Sequence, residues 1–151
     1  MAELPDSIYA EVERLSSEGN EFADADEFQQ ALSRFQAAWQ LLPEPRTSWS
    51  AGLWLLVSVG DMWFQLRRFP EGREALMTAM KYYSEAPGNP FIRLRLGQCM
   101  FELGENHEAA NWLAGAFINE GMKLFGSEDP KYVLFIKSQL QAPPGGWPKG
   151  W

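Results

Sequence analysis

The sequence predicts an all-α fold: a helix–turn–helix repeat solenoid of about seven helices. Three observations carry that reading. A spacing of glycine, bulky and small residues recurs three times, apolar residues return at helical period without strand-like alternation, and Pro/Gly breaks separate the periodic stretches. From Gly19 the steps of three, nine, twelve, sixteen, nineteen and twenty-four residues reach Phe22, Phe28, Ala31, Phe35, Ala38 and Pro43. From Gly60 the first five of these steps reach Trp63, Phe69, Gly72, Leu76 and Ala79, and from Gly97 they reach Met100, Asn106, Ala109, Leu113 and Ala116. A small residue at steps twelve and nineteen in every copy fits two helices that cross closely. On this basis Gly19 is expected to meet the region of Ala31, and Gly60 that of Gly72, with Phe22, Phe28 and Phe35 filling the gaps.

The elements follow in order. A first helix from about Pro5 to Ala23 has proline in its first turn, where the missing N–H costs little. Asp24 to Asp26 turns the chain, and a second helix runs to Leu42, halted by Pro43 and Pro45. A third opens near Thr47–Ser48, either of which can cap it, and continues to about Arg67. Phe69-Pro70-Glu71 starts a fourth, which ends before the breaker Pro87-Gly88-Asn89-Pro90. A fifth spans Phe91 to Leu103, closed by Gly104 as a left-handed C-terminal residue. The sixth runs from Asn106 to about Phe125, and a seventh, Asp129 to Leu140, has Ser127 as its cap. One domain over 1–141 is expected, with repeats at about 12–45, 53–86 and 90–123, a capping helix at 129–140 and an extended tail at 142–151.

Charge is uneven along the chain. Of a net −7, the residues up to Glu44 contribute ten acidic and two basic side chains, while the remainder is nearly balanced. An acidic N-terminal third repels nucleic acid and anionic lipid and attracts a basic protein. The early residues Glu3, Asp6, Glu11 and Glu13 do not make a signal peptide, and no apolar run reaches the ~18 residues of a bilayer span. A soluble, cytoplasmic protein is expected. Cys99 is the single cysteine, in an apolar stretch where a buried thiol is expected, and His107 is the single histidine, in a turn without ligand-spaced partners. Neither a phosphate loop nor a nucleophile–base arrangement is present, so the expectation is a non-enzyme with no metal and no cofactor.

The repeated spacing resembles the tetratricopeptide repeat, a 34-residue helix–turn–helix unit, over about Val12 to Lys123. Trp63 and Met100 depart from its usual tyrosine, Asn106 from its aromatic, and about seven extra residues, near Arg46 to Gly52, separate the first two units. The resemblance implies that the first helix of each hairpin lines a concave face. It places Glu13, Ser16, Asn20, Ala23 and Asp24 there from copy one, and Trp54, Val57, Asp61, Phe64 and Gln65 from copy two. Copy three adds Phe91, Leu94, Gln98, Phe101 and Glu102, so the face holds four aromatic, four acidic and no basic residues. Large rings on a nominally solvated face suit protein binding, although the residues around Trp49, or the tail with Trp147 and Trp151, offer to cover them.

The expected partner is a basic and apolar polypeptide, with neither nucleic acid nor membrane involved. Family members that grip a C-terminal carboxylate need lysines and arginines, of which Asn20 is the sole companion here. Two narrower resemblances imply a bacterial setting. Asn89 to Ala110 is similar to the third repeat of type III secretion chaperones. The ending Glu128-Asp129-Pro130-Lys131-Tyr132 through Leu140, with Pro143-Pro144 and Gly146-Trp147, resembles short repeat proteins of toxin–immunity loci. An immunity protein or effector chaperone is the role these imply, with a homo-oligomeric structural scaffold or assembly subunit, such as a homodimer, as the alternative.

Overall fold

Eight α-helices and no strand make up the described residues of the computed structural model, which are 3–140 and 144–146. The expected tail at 142–151, including Trp147 and Trp151, therefore lies outside the described residues except at 144–146. The chain divides at the Pro87-Gly88-Asn89-Pro90 breaker into two compact units, Met1–Ala86 and Pro87–Trp151. No helix among the described residues is long and apolar enough to cross a membrane.

The first unit contains α1 (Asp6–Asp24), α2 (Phe28–Leu41), α3 (Ala51–Gln65) and α4 (Phe69–Tyr82), each packed on the next. The second contains α5 (Pro90–Glu102), α6 (Asn106–Glu120), the single turn α7 (Met122–Phe125) and α8 (Pro130–Gln139). Here α5 pairs with α6, and α7 and α8 both pack on α6.

The hairpins α1/α2, α3/α4 and α5/α6 share one turn. Their seventh step from the glycine, Asp26, Arg67 and Gly104, has a left-handed backbone, with φ of 58°, 61° and 79°. The N–H groups of Glu27, Arg68 and Glu105 then reach back to the carbonyls of Phe22, Trp63 and Met100 at 2.8–2.9 Å. Those bonds close the orphan carbonyls of the first helix in the six-to-one pattern of a Schellman turn. The sequence marks only Gly104 for this geometry, because an aspartate and an arginine adopt it in the other two copies.

The expected crossing of Gly19 with Ala31, and of Gly60 with Gly72, is displaced by one helical turn. A Cβ on Gly19 would lie 2.6 Å from the Phe35 ring, one on Gly60 2.7 Å from Leu76 Cγ, and one on Gly97 2.6 Å from Leu113 Cγ. In every copy the residue sixteen steps on, not the one at step twelve, fills the space a side chain would occupy. Ala31 and Ala109 are fully buried nonetheless, where the second helix begins.

Three element ends differ from expectation, each for a local reason. Thr47 and Ser48 do not cap α3: Ser48 Oγ donates to the Pro45 carbonyl, and Arg46–Ser48 forms a 3-10 turn. The extra residues are pinned instead. Trp49 Nε1 donates to the Pro43 carbonyl at 2.7 Å, the Tyr83 hydroxyl donates to the Trp49 carbonyl at 2.8 Å, and the indole packs against Val12, Leu15, Ala38, Leu42 and Leu55. Next, α6 stops at Glu120 because Gly121 takes φ 58° and ψ −145°, and the chain folds back so that Phe125 meets Phe117 edge-on at 5.5 Å. Finally, Asp129 rather than Ser127 caps α8, accepting from the Lys131 N–H at 3.0 Å.

Two predictions test this packing. Gly97→Ala places a methyl against Leu113 Cγ and 3.1 Å from its backbone nitrogen, which cannot yield as a flexible side chain would. Overpacking should outweigh the better helix propensity of alanine, for a net loss of about 1–2 kcal/mol in urea unfolding. Second, burial and then the Glu85 charge push the Tyr83 hydroxyl up to about 12. The folded state thus holds a proton that the unfolded chain releases near pH ~10, so this stability is intact below ~10 and is lost as pH rises through about 12. Tyr83→Phe should cost about 1 kcal/mol at neutral pH, through the lost bond to Trp49, and give a shallower alkaline decline in urea midpoints.

Candidate functional site

An open cleft of about 260 Å³ lies between α1 and α3 in the first unit. The wall from α1 is built by Tyr9, Glu13, Ser16 and Asn20, spaced at steps of four, three and four, so they form one stripe of the helix. Trp54 and Ser58 supply the opposite wall, while Val12, Phe35 and Leu55 form an apolar floor. Both cleft rings are conspicuously wet, Tyr9 at 50% and Trp54 at 55% exposure. The pinning of Trp49 into the core explains why the residues around it do not cover this face.

Electrostatically the cleft is one-sided. Residues Asp6–Asp24 of α1 carry six acidic groups against the single Arg14. Arg14 bridges Glu11 and Glu18, and Arg34 also holds Glu18. The Arg14 hydrogen bond keeps the Glu11 carboxyl below the usual carboxylate range. Glu13 has no such partner and projects, exposed, at the cleft.

Of the residues expected on the binding face, Glu13, Ser16, Asn20 and Trp54 come together in this cleft. Asp24 is exposed at the end of α1, outside the lining. The face of α3 turned toward α1 is rotated from expectation: it presents Ala51, Trp54, Leu55 and Ser58, whereas Val57 is only 4% exposed and has no surface to offer. Asp61 accepts from Gln65 at 3.4 Å, and the half-buried Phe64 packs edge-on against Phe69 at 5.8 Å.

In the second unit the expected face is occupied by the chain itself. Leu94 is 1% and Gln98 0% exposed, and neither reaches solvent. Gln98 Nε2 donates to Glu128 Oε1 at 2.8 Å, and Arg95 Nη1 donates both to that oxygen at 2.5 Å and to Gln98 Oε1 at 2.8 Å. Phe91 lies beneath the Arg95 guanidinium, 5.0 Å from its ring centre. Phe101 packs against Tyr132 at 5.5 Å and Phe135 at 4.8 Å, and Glu102 accepts from the Tyr132 hydroxyl at 3.1 Å and pairs with Lys131 at 2.7 Å. Burial, then the Glu102 charge, pushes the Tyr132 hydroxyl well above its ordinary value. Leu94, Gln98, Phe101 and Glu102 thus belong to the packing of this unit, because Glu128 and α8 saturate their polar and apolar surfaces.

Tyr9 and Ser58 complete the cleft and were missed by sequence reasoning. Tyr9 falls before the first repeat begins at Val12, yet its four-residue step to Glu13 was a legible signal. Among the described residues, no three His, Cys, Asp or Glu side chains converge as metal ligands, Cys99 is buried, and His107 is exposed.

No family model matches the chain, and no curated protein does. Solved structures do. The TPR domain of OM64 from Arabidopsis superposes with a TM-score of 0.64 at 14% identity, over 88% of this chain and 99% of its own. The second TPR domain of human RPAP3 gives 0.64 at 12%, over 89% and 99%, and the Sgt2 TPR domain from Aspergillus fumigatus gives 0.60 at 17%, over 85% and 76%. At such identities the likeness establishes the fold, and the fold of this chain is that of tetratricopeptide-repeat domains.

The contrast between the units is testable. Phe101→Ala should destabilise the protein by roughly 2–4 kcal/mol in urea unfolding, as loss of a ring packed on two others does. Trp54→Ala, at a half-exposed ring, should change stability by less than about 1 kcal/mol.

Proposed function

We propose that this chain is a non-catalytic protein-interaction module that holds a segment of a partner polypeptide in the α1/α3 cleft. The partner's apolar side chains lie on Tyr9 and Trp54, and its positive charge faces Glu13, with Asn20 and Asp24 as flanking contacts. The observation that carries this reading is the pair of half-exposed rings lining one open cleft whose single charged side chain is a carboxylate. Covering roughly 100 Å² of each ring releases about 2–3 kcal/mol apiece at ~25 cal/mol/Å². That is enough to make two hot spots once the costs of association are met.

Proteins of the same fold lend support. The second TPR domain of human RPAP3 was solved in complex with the HSP70 peptide SGPTIEEVD, and Cns1 of Saccharomyces cerevisiae, similar over 89% of this chain with a TM-score of 0.65, is an Hsp90 co-chaperone. The peptide in the first case carries two glutamates and an aspartate. A cleft with Glu13 and no lysine or arginine repels such a ligand and favours one of opposite sign. The setting we propose is the bacterial cytoplasm, where an acidic blocker or chaperone of a basic secreted effector uses its N-terminal charge to speed capture. A homodimeric scaffold is the second reading, favoured by Ile118 and Leu134, which are 65% and 67% exposed on α6 and α8. Static light scattering separates the two.

Capture from the native host, identified by mass spectrometry, should yield one dominant basic partner with wild-type protein. Trp54→Ala should lose at least about tenfold of it with helicity intact. Undiminished capture by a folded Trp54→Ala protein would refute the cleft as the site.

A further inference from the structure

We infer that the cleft selects an arginine side chain, seating its guanidinium between the Tyr9 and Trp54 rings and against the Glu13 carboxylate. The inference rests on the partner-binding reading above and names what that site recognises. Tyr9 and Glu13 stand one turn apart on α1, so ring and carboxylate rise from the same stripe, and Trp54 faces them from α3. Two aromatic rings and a full negative charge thus line one space, an environment that suits a cation leaving water.

Glu13 is available for that role and its neighbours are not. Glu11 and Glu18 are already bridged by Arg14, and Arg34 adds to Glu18, whereas Glu13 makes no hydrogen bond or ion pair among the described residues. Among the described residues the cleft is lined by no lysine or arginine that would compete for it. Glu13 also borders a second hollow on α1, lined by Arg14, Glu18 and Glu21, so an incoming cation meets an acidic approach.

The remaining lining distinguishes arginine from lysine. A guanidinium is planar, weakly hydrated and able to stack on rings, while an ammonium keeps its water. Ser16, Asn20 and Ser58 line the same cleft and carry acceptor oxygens for guanidinium N–H groups beyond those that Glu13 takes. The apolar floor of Val12, Phe35 and Leu55, each buried, suits the aliphatic stem.

The test titrates the full-length chain with the peptide acetyl-Leu-Arg-Leu-amide and follows the Trp54 indole and Tyr9 ring resonances by NMR. Two companion peptides carry citrulline, the neutral isostere, or lysine at the centre. The arginine peptide should shift both rings, the citrulline peptide should bind about tenfold more weakly, and the lysine peptide should fall between them. Glu13→Gln, at an exposed position, should abolish the preference for arginine over citrulline. Equal binding of the arginine and citrulline peptides, a lysine peptide as tight as arginine, or a preference that survives Glu13→Gln overturns the inference, as does silence of all three peptides at Trp54. The broader partner-binding reading stands or falls separately, on capture of the native partner by the Trp54→Ala protein.

Discussion

A glycine pressed by a side chain sixteen residues later governs each hairpin of this protein. Phe35 lies against Gly19, Leu76 against Gly60 and Leu113 against Gly97, at distances that leave no room for a methyl group. Each glycine costs its helix about 1 kcal/mol of propensity. The return is that two helices approach closely enough for a large apolar side chain to find dense contacts on every side. The turn is built from the same helix end, where a left-handed residue seven steps on lets the next N–H bond back to the step-three carbonyl. Crossing and turn are therefore set together. The direction in which α1, α3 and α5 present their remaining faces follows from that pairing.

What becomes of those faces differs between the two units. In the second, Glu128 and α8 settle onto α5 through a buried charge network that binds Arg95, Gln98 and Glu128 to one another. A buried ion pair alone loses much of its attraction to desolvation. Here the amide of Gln98 satisfies both partners, and the outer pair of Glu102 with Lys131 adds a second contact in register. The arrangement selects one seating of α8 more than it adds stability. In the first unit the comparable stripe of α1 keeps its polar and aromatic groups on an open cleft.

The lining of that cleft suits the partner-binding reading proposed above. Rings supply area with few rotamers to lose, the one charged side chain among the described lining residues is a carboxylate, and small hydroxyl and amide groups supply hydrogen-bonding capacity. The surrounding negative charge of α1 adds a longer-range preference for basic partners, screened beyond ~8 Å at physiological salt. The cleft carboxylate and the acidic surface around it thus lie on one helix, an arrangement that on the proposed reading would combine selectivity with fast association.

The amino-acid sequence by itself determined the main helices, the threefold repeat and every break but the one at Gly121, because helical periodicity and Gly/Pro punctuation are local properties of the chain. It also singled out Glu13, Ser16, Asn20 and Trp54, which line one cleft of the first unit. It did not determine which partner each glycine meets, since a one-turn shift in a crossing preserves the same pattern of small and large residues. Only the tertiary structure decided that Val57, Leu94 and Gln98 turn inward and that Tyr9 and Ser58 join the cleft. It likewise decided that Phe101 and Glu102 pack and pair with residues of α8. The rotation of a helix about its own axis depends on side chains distant in sequence, and a few tens of degrees carry a residue from surface to core.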